Sequence, residues 1–211
     1  MTTVSLNRRK GFDWAQPFVY LIALIVVAIT IAPVVFVVLN GFRTTAQINE
    51  NPGGLPDPWV WDKYLAVFQN PNFWTQFMNS TIVALATTAG VVLLGVMAAF
   101  VIARYAFRGR TLLFSLFTAG LLFPLTVAVL PLFTMLRSFG LLGSLIAVIA
   151  PQIAFALPTT IIILVPFLRA IPAELEDAAS IDGASRLGFF WRVLLPLSWP
   201  GLITVGVLAF V

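Results

Sequence analysis

Residues 77–103 read FMNSTIVALATTAGVVLLGVMAAFVIA, and no charge interrupts the chain anywhere between Lys63 and Arg104. A helix needs about 20 residues to cross a hydrocarbon core about 30 Å thick, and this stretch is longer than that. Its apolar residues run continuously instead of alternating, which suits a helix that pairs its own backbone groups and not a barrel strand. Similar charge-free runs separate Asp13 from Arg43, Arg110 from Arg137 and Arg137 from Arg169, and no charge follows Arg192. Of 211 residues, 60% are hydrophobic and 9% charged, with a mean hydropathy of +1.02. An average soluble domain is about 45–50% apolar and about 25% charged, so this chain cannot cover a water-facing surface. Spans are expected at 17–39, 77–103, 112–136 and 144–168, with a fifth starting near Leu194. The fold class is all-α: a polytopic transmembrane helical bundle.

The basic residues orient it. With a cytoplasmic amino terminus, nine lie inside (Arg8, Arg9, Lys10, Arg104, Arg108, Arg110, Arg169, Arg186, Arg192) and three outside (Arg43, Lys63, Arg137). That bias follows the positive-inside rule. It gives a cytoplasmic segment 1–16, a membrane domain 17–211, an external loop at about 40–76 and a cytoplasmic loop at about 169–193. The first apolar run exceeds a cleavable signal core, so it reads as an uncleaved anchor. The external loop carries Pro52-Gly53-Gly54 and Trp59-Val60-Trp61, and its tryptophans suit the headgroup interface. The tight basic turn 104–110 reads as topogenic. The chain stops inside a hydrophobic run, which predicts a further carboxy-terminal part.

Composition narrows the chemistry. With no cysteine and no histidine, thiol nucleophiles, disulfides, imidazole bases and the usual zinc ligands are excluded. Net charge is +4, but the basic residues are scattered and form no nucleic-acid patch. The expected spans contain no ionisable residue of the kind that binds or relays a coupling ion, although sodium coupling through carbonyls and hydroxyls stays open. No G-x-x-x-x-G-K-[ST] phosphate loop occurs, and the only lysines are Lys10 and Lys63. Energy for active transport would therefore arrive from another subunit.

The segment 169–193 is suited to receive it. It holds Glu174, Glu176, Asp177 and Asp182, half of the eight acids. Pro172 fits the first turn of a helix whose positive end the following acids favour. Leu175, Ala178, Ala179 and Ile181 form a narrow apolar strip, and Gly183 interrupts the helix. A second short helix is expected at 185–192, with Phe189 and Phe190 returning to the bilayer and Pro196 and Pro200 in the entry turns of the next span. The plain alternative is a solvated loop, but such a loop has no need of paired alanines, a glycine between helical pieces and bulky aromatics one turn on.

Glu176-Asp177-Ala178-Ala179-Ser180-Ile181-Asp182-Gly183-Ala184-Ser185, followed by Phe189-Phe190 and Leu194-Leu195-Pro196-Leu197-Ser198-Trp199-Pro200, resembles the EAA loop of binding-protein-dependent ABC importer permeases. Pro172-Ala173-Glu174-Leu175-Glu176 is most similar to the carbohydrate branch with maltose-type, MalG-like subunits. Asn79-Ser80, Ala103-Arg104-Tyr105, Phe107-Arg108-Gly109 and Phe155-Ala156-Leu157-Pro158 extend the likeness from about Tyr64 onward.

The resemblance implies a type I ABC importer permease fold in a bacterial-type plasma (inner) membrane, with six spans of which the sixth is missing here. It implies a coupling helix docked in a cleft of an ATP-hydrolysing subunit. Asp177 takes the position of the motif's Glu, one methylene shorter, with Glu176 beside it to share the role. Ala178 and Ala179 are the motif's alanines and Gly183 its glycine; Glu174, Asp182 and Ala184 complete the contact set. Implied partners are an ATPase dimer, a sister permease and an extracytoplasmic solute-binding protein. ATP and Mg belong to the ATPase, and this chain is expected to be no enzyme and to bind no cofactor. Asn79, Thr87, Gln152 and Thr159, together with Thr88 and Thr160, are the polar candidates for a substrate pathway; interhelical hydrogen bonding is their plainer role. Pro124, Pro131, Pro151 and Pro158 are expected to kink spans three and four, and Gly95, Ala99 and Ala103 form a small-residue ridge for close helix contact. A secondary carrier and a noncatalytic assembly subunit stand as alternatives.

Overall fold

The computed structural model describes residues 15–211; the amino-terminal segment with Arg8, Arg9 and Lys10 lies outside the described residues. The chain divides into two compact units, one ending at Trp74 and the other covering Thr75–Val211.

In the first unit α1 (Ala15–Gly41) is apolar all round, and its side chains are exposed from residue 16 to residue 38. The following loop folds around a buried cation. Arg43 is 2% exposed, and its guanidinium donates to the carbonyls of Gln47, Asn51 and Pro52 and to Asn40 Oδ1. Thr44 and Gln47 close a capping box on α2 (Thr45–Glu50). Phe42 gathers Trp59, Trp61 and Tyr64 at ring distances of 5.1, 4.7 and 4.6 Å, and Tyr64 donates to Val38 O at 2.9 Å. α3 (Asp62–Gln69) leads to α4 (Pro71–Arg104).

α4 begins at Pro71, earlier than the expected 77. Asn70 Oδ1 accepts from Asn72 N–H at 3.0 Å, and a proline in the first turn lacks only an N–H that would have no partner there. From Thr75 onward α4 belongs to the second unit. There it packs along α7 (Ile146–Arg169) through small residues. A Cβ on Gly90 would lie 2.4 Å from Ile153 Cδ1, and one on Gly95 2.4 Å from Thr160 Cγ2. Ala99 and Ala103 are buried in the same seam, so the expected ridge is present.

Span three is not one helix. α5 (Arg110–Gly120) and α6 (Leu125–Ser138) meet at 99°. Pro124 is extended (φ −72°, ψ 126°) at the start of α6, and a proline disfavours helix in the residue before it. α7 remains helical through Pro151, Pro158 and Pro166. The fifth span also differs from expectation. α8 (Glu174–Ile181) and α9 (Arg186–Phe189) lead into a π-helical turn at Phe190–Leu194 and a short α10 (Leu195–Leu197). The chain then bends 77° into α11 (Trp199–Phe210), beginning beyond Leu194. Pro196 and Pro200 cannot donate to the helical ladder. Buried Ser198 fills the bend, its Oγ donating to Leu194 O at 2.7 Å. Among the described residues three helices are long and apolar enough to cross a membrane, or up to five spans if each bent pair counts as one. The second unit's core joins Val96, Phe100 and Ile102 of α4 to Ile161, Leu164 and Leu168 of α7, with Phe189, Phe190, Leu194 and Val205.

Candidate functional site

The connection between α7 and α11 is an elbow of defined shape. Glu174, Glu176 and Asp177 occupy the first turns of α8, where carboxylates meet the positive end of the helix dipole. Pro172 stands just ahead of the helix, with Ala173 in the cap position. At the other end Gly183 takes φ +80°. Its N–H donates to Ser180 O at 3.0 Å and that of Ala184 to Ala179 O at 2.9 Å, which together make a Schellman motif. A Cβ on Gly183 would meet nothing within 4 Å, so the glycine serves the backbone turn and not the space around it. Ser185 Oγ then accepts from Gly188 N–H at 3.1 Å and caps α9.

The elbow is fastened to the end of α4. Arg104, 6% exposed, donates from Nε to Glu176 Oε2 at 2.9 Å. Its Nη1 donates to Ile171 O at 2.8 Å and its Nη2 to Pro172 O at 3.4 Å. The guanidinium also lies 5.8 Å from the ring centre of Phe189. Phe189 and Phe190 are buried against Phe100 at 6.5 and 5.1 Å. Tyr105 meets Phe100 edge-on at 5.2 Å, and Arg186 lies 4.7 Å over the Tyr105 ring. Burial, reinforced by the Glu176 carboxylate, pushes the Tyr105 phenol above its ordinary pKa, while Arg186 and Arg104 oppose the rise. The basic turn is therefore more than topogenic: Arg104 is a structural clamp. Its partner Glu176 lies 72 residues away, and no local sequence signal links the two.

The clamp divides the candidate residues into two sets. Glu174, Leu175, Asp177, Ala178, Ser180, Ile181, Asp182 and Gly183 are exposed, with Ile181 at 87% and nearby Leu187 at 65%. Glu176, expected to share Asp177's role, is only partly exposed and is paired with Arg104. Ala179 packs against the unit's own core and Ala184 is half-buried. The expected apolar strip is thus split, because neighbouring helical residues point about 100° apart at 3.6 per turn. The outward surface is an acidic rim (Glu174, Asp177, Asp182) around Ala178 and Ile181.

Among the pathway candidates, Asn79, Thr87 and Gln152 line one cavity of about 710 Å³ between α4, α7 and α11. Thr87 Oγ1 donates to Gln152 Oε1 at 3.2 Å. Thr159 and Thr160 line an adjoining cavity of about 250 Å³ that shares Ala156, Leu208 and Ala209, and Thr160 Oγ1 is bound to Ala156 O at 2.9 Å. Thr88 lies apart, in an apolar groove with Trp191 and Trp199.

Residues 91–211 match the family described as binding-protein-dependent transport system inner membrane component. The diacetylchitobiose uptake system permease protein NgcG of Streptomyces coelicolor is 39% identical over 86% of this chain and 60% of its own length. The sulfoquinovosyl glycerol transport system permease protein SmoH of Agrobacterium fabrum is 34% identical over 100% of this chain and 75% of its own. For the trehalose transport system permease protein SugB of Mycobacterium tuberculosis the values are 34%, 98% and 73%. The chain thus spans less than two thirds of the first of these relatives and about three quarters of the other two. Family, multi-span helical fold and relatives agree: this chain belongs to the binding-protein-dependent transport system inner membrane components, a family of transport permeases and not of enzymes.

Proposed function

We propose that this chain is the permease subunit of an ATP-driven importer that moves a sugar or sugar derivative. In this reading its amino terminus and the elbow face the cytoplasm and the 40–76 loop faces outward. A solute-binding protein delivers the sugar to the outer face, a sister permease completes the pathway, and a dimer of ATPase subunits carries ATP and Mg. The observation that carries the proposal is the elbow itself. Its Schellman turn and Arg104 clamp make it stiff, and its exposed acidic rim with Ala178 and Ile181 presents a small, shaped knob. Glu174, Asp177, Ala178, Asp182 and Gly183 are the contact residues. Closure of the ATPase dimer moves the knob as a rigid body, and the spans swing from inward- to outward-facing. A loose loop would dissipate that displacement.

The sugar class rests on the names of the relatives, which are permeases of diacetylchitobiose, sulfoquinovosyl glycerol and trehalose systems. Asn79, Thr87 and Gln152 in the larger cavity, with Thr159 beside it, offer hydroxyl and amide groups to a passing polyol. The test is uptake of labelled disaccharides into proteoliposomes holding the complete complex. Uptake requires ATP inside and binding protein outside; uptake by this chain alone under an ion gradient would overturn the proposal.

A further inference from the structure

Two routes connect the elbow to the membrane helices. One is covalent, through the few residues between α7 and α8 and through α9 into α11. The other is the Arg104 clamp, which joins α8 directly to α4. Resting on the coupling role proposed above, we infer that Arg104 is a positioning residue for coupling: it carries the displacement of α8 into α4, and thereby moves the α4 wall of the large cavity.

Three observations support this. First, the contact is multivalent. One guanidinium, 6% exposed, holds the Glu176 carboxylate and the carbonyls of Ile171 and Pro172, so it grips both the helix and the strand of chain leading into it. A planar fork with several donors resists rotation in a way that a single-point contact does not. Second, the grip is backed by packing. Phe189 lies under the guanidinium and against Phe100 of α4, so the close-packed elbow base and the end of α4 form one block. Third, α4 is one continuous helix from Arg104 back past Asn79. Asn79, Ser80, Val83 and Thr87 of that helix line the cavity, so a shift imposed at Arg104 reaches them without crossing a hinge.

The sequence contains no cysteine, so single cysteines placed in this chain report cleanly. Ser80→Cys marks the α4 wall and Val148→Cys the α7 wall of the same cavity. In the assembled complex, labelling by a water-soluble maleimide is compared with and without ATP plus vanadate. With Arg104 intact, both positions change their labelling rate. With Arg104→Gln, the nucleotide-dependent change at 80 is lost at least fivefold while that at 148 persists, and sugar moved per ATP hydrolysed falls at least fivefold. Arg104→Lys, which keeps the charge but loses the fork, gives an intermediate loss, and Glu176→Gln a smaller one.

An unchanged response at 80 in Arg104→Gln, or equal loss at 80 and 148, would overturn the inference. If Arg104→Gln does not assemble, Arg104→Lys decides: selective loss at 80 supports the route through α4, and an unaltered response there refutes it. A separate control tests the underlying reading. With Arg104 intact, Ala178→Cys must cross-link to the ATPase; failure there rejects the coupling role itself, whereas success with an unaltered response at 80 rejects only the route through α4.

Discussion

Replacing Gly183 separates the backbone requirement of the elbow from its fit to a partner. The residue sits at φ +80° with nothing within 4 Å of where a Cβ would lie. Any L-residue there pays the left-handed penalty, about 1–2 kcal/mol, and its Cβ meets no internal clash. A loss of that magnitude lowers the ratio of closed to frayed elbow by a factor of about 5–30. Gly183→Ala and Gly183→Leu weaken the Schellman turn to a similar extent. Only leucine adds bulk to the exposed surface that docks with the ATPase. The assay is a complex in proteoliposomes, with ATP hydrolysis and sugar uptake measured on the same preparation. Gly183→Ala retains partial coupling. Gly183→Leu inserts and accumulates normally, hydrolyses ATP, and moves little sugar. Wild-type uptake by Gly183→Leu would refute the reasoning. Equal defects in the two variants would place the effect in the backbone and not at the docking surface.

Three further outcomes follow from other parts of the molecule. Gly95→Ala drives a Cβ to 2.4 Å from the Thr160 methyl; overpacking of this kind costs about 1–3 kcal/mol and lowers the melting temperature of the purified complex, whereas Gly53→Ala, with open space around it, does not. Arg43→Met removes a donor from the carbonyls of Gln47, Asn51 and Pro52, of which the first two keep a backbone N–H partner, at a cost of about 1–3 kcal/mol; limited proteolysis then cuts within 44–60, and an unaltered digestion pattern would contradict the buried clamp. Tyr105 has a raised pKa, so its neutral form is favoured in the fold; its contribution is complete below the ordinary phenol range near pH 10 and is lost as pH rises through the raised value. Tyr105→Phe therefore removes part of the alkaline loss of stability, read by thermal denaturation across pH 8–11 in detergent.

The membrane character and approximate span positions were legible because bilayer crossing is a matter of composition over a window, and windows such as 77–103 average out local detail. The breaks were harder to read. Pro124 and Pro131 both lie in the third apolar run, yet the chain turns at Pro124 and stays helical through Pro131. Hydropathy cannot distinguish the two, because the choice depends on which freed carbonyls find other partners. The start of α4 carried a readable signal in Asn70-Pro71, a capping side chain followed by a proline suited to the first turn, but the surrounding polar residues made it look like loop. In the elbow the Gly183 turn was visible from residue type. The inward turn of Glu176 and Ala179 was not, because it depends on Arg104 arriving from a distant part of the chain. The nine residues 174–182 contain four acids and alanines on two faces, and only tertiary packing selects which of them look outward.

The most direct test of the account uses paired cysteines one residue apart. In intact membranes containing the full complex, Ala178→Cys, on the exposed face of α8, is expected to cross-link to the ATPase subunit through a short bifunctional reagent. Ala179→Cys, packed against the core of its own unit, is expected to cross-link at least fivefold less, as the 3.6-residue helical period requires. Strong capture at 178 and weak capture at 179 is the predicted result; no capture at either position, or equal capture at both, would contradict it.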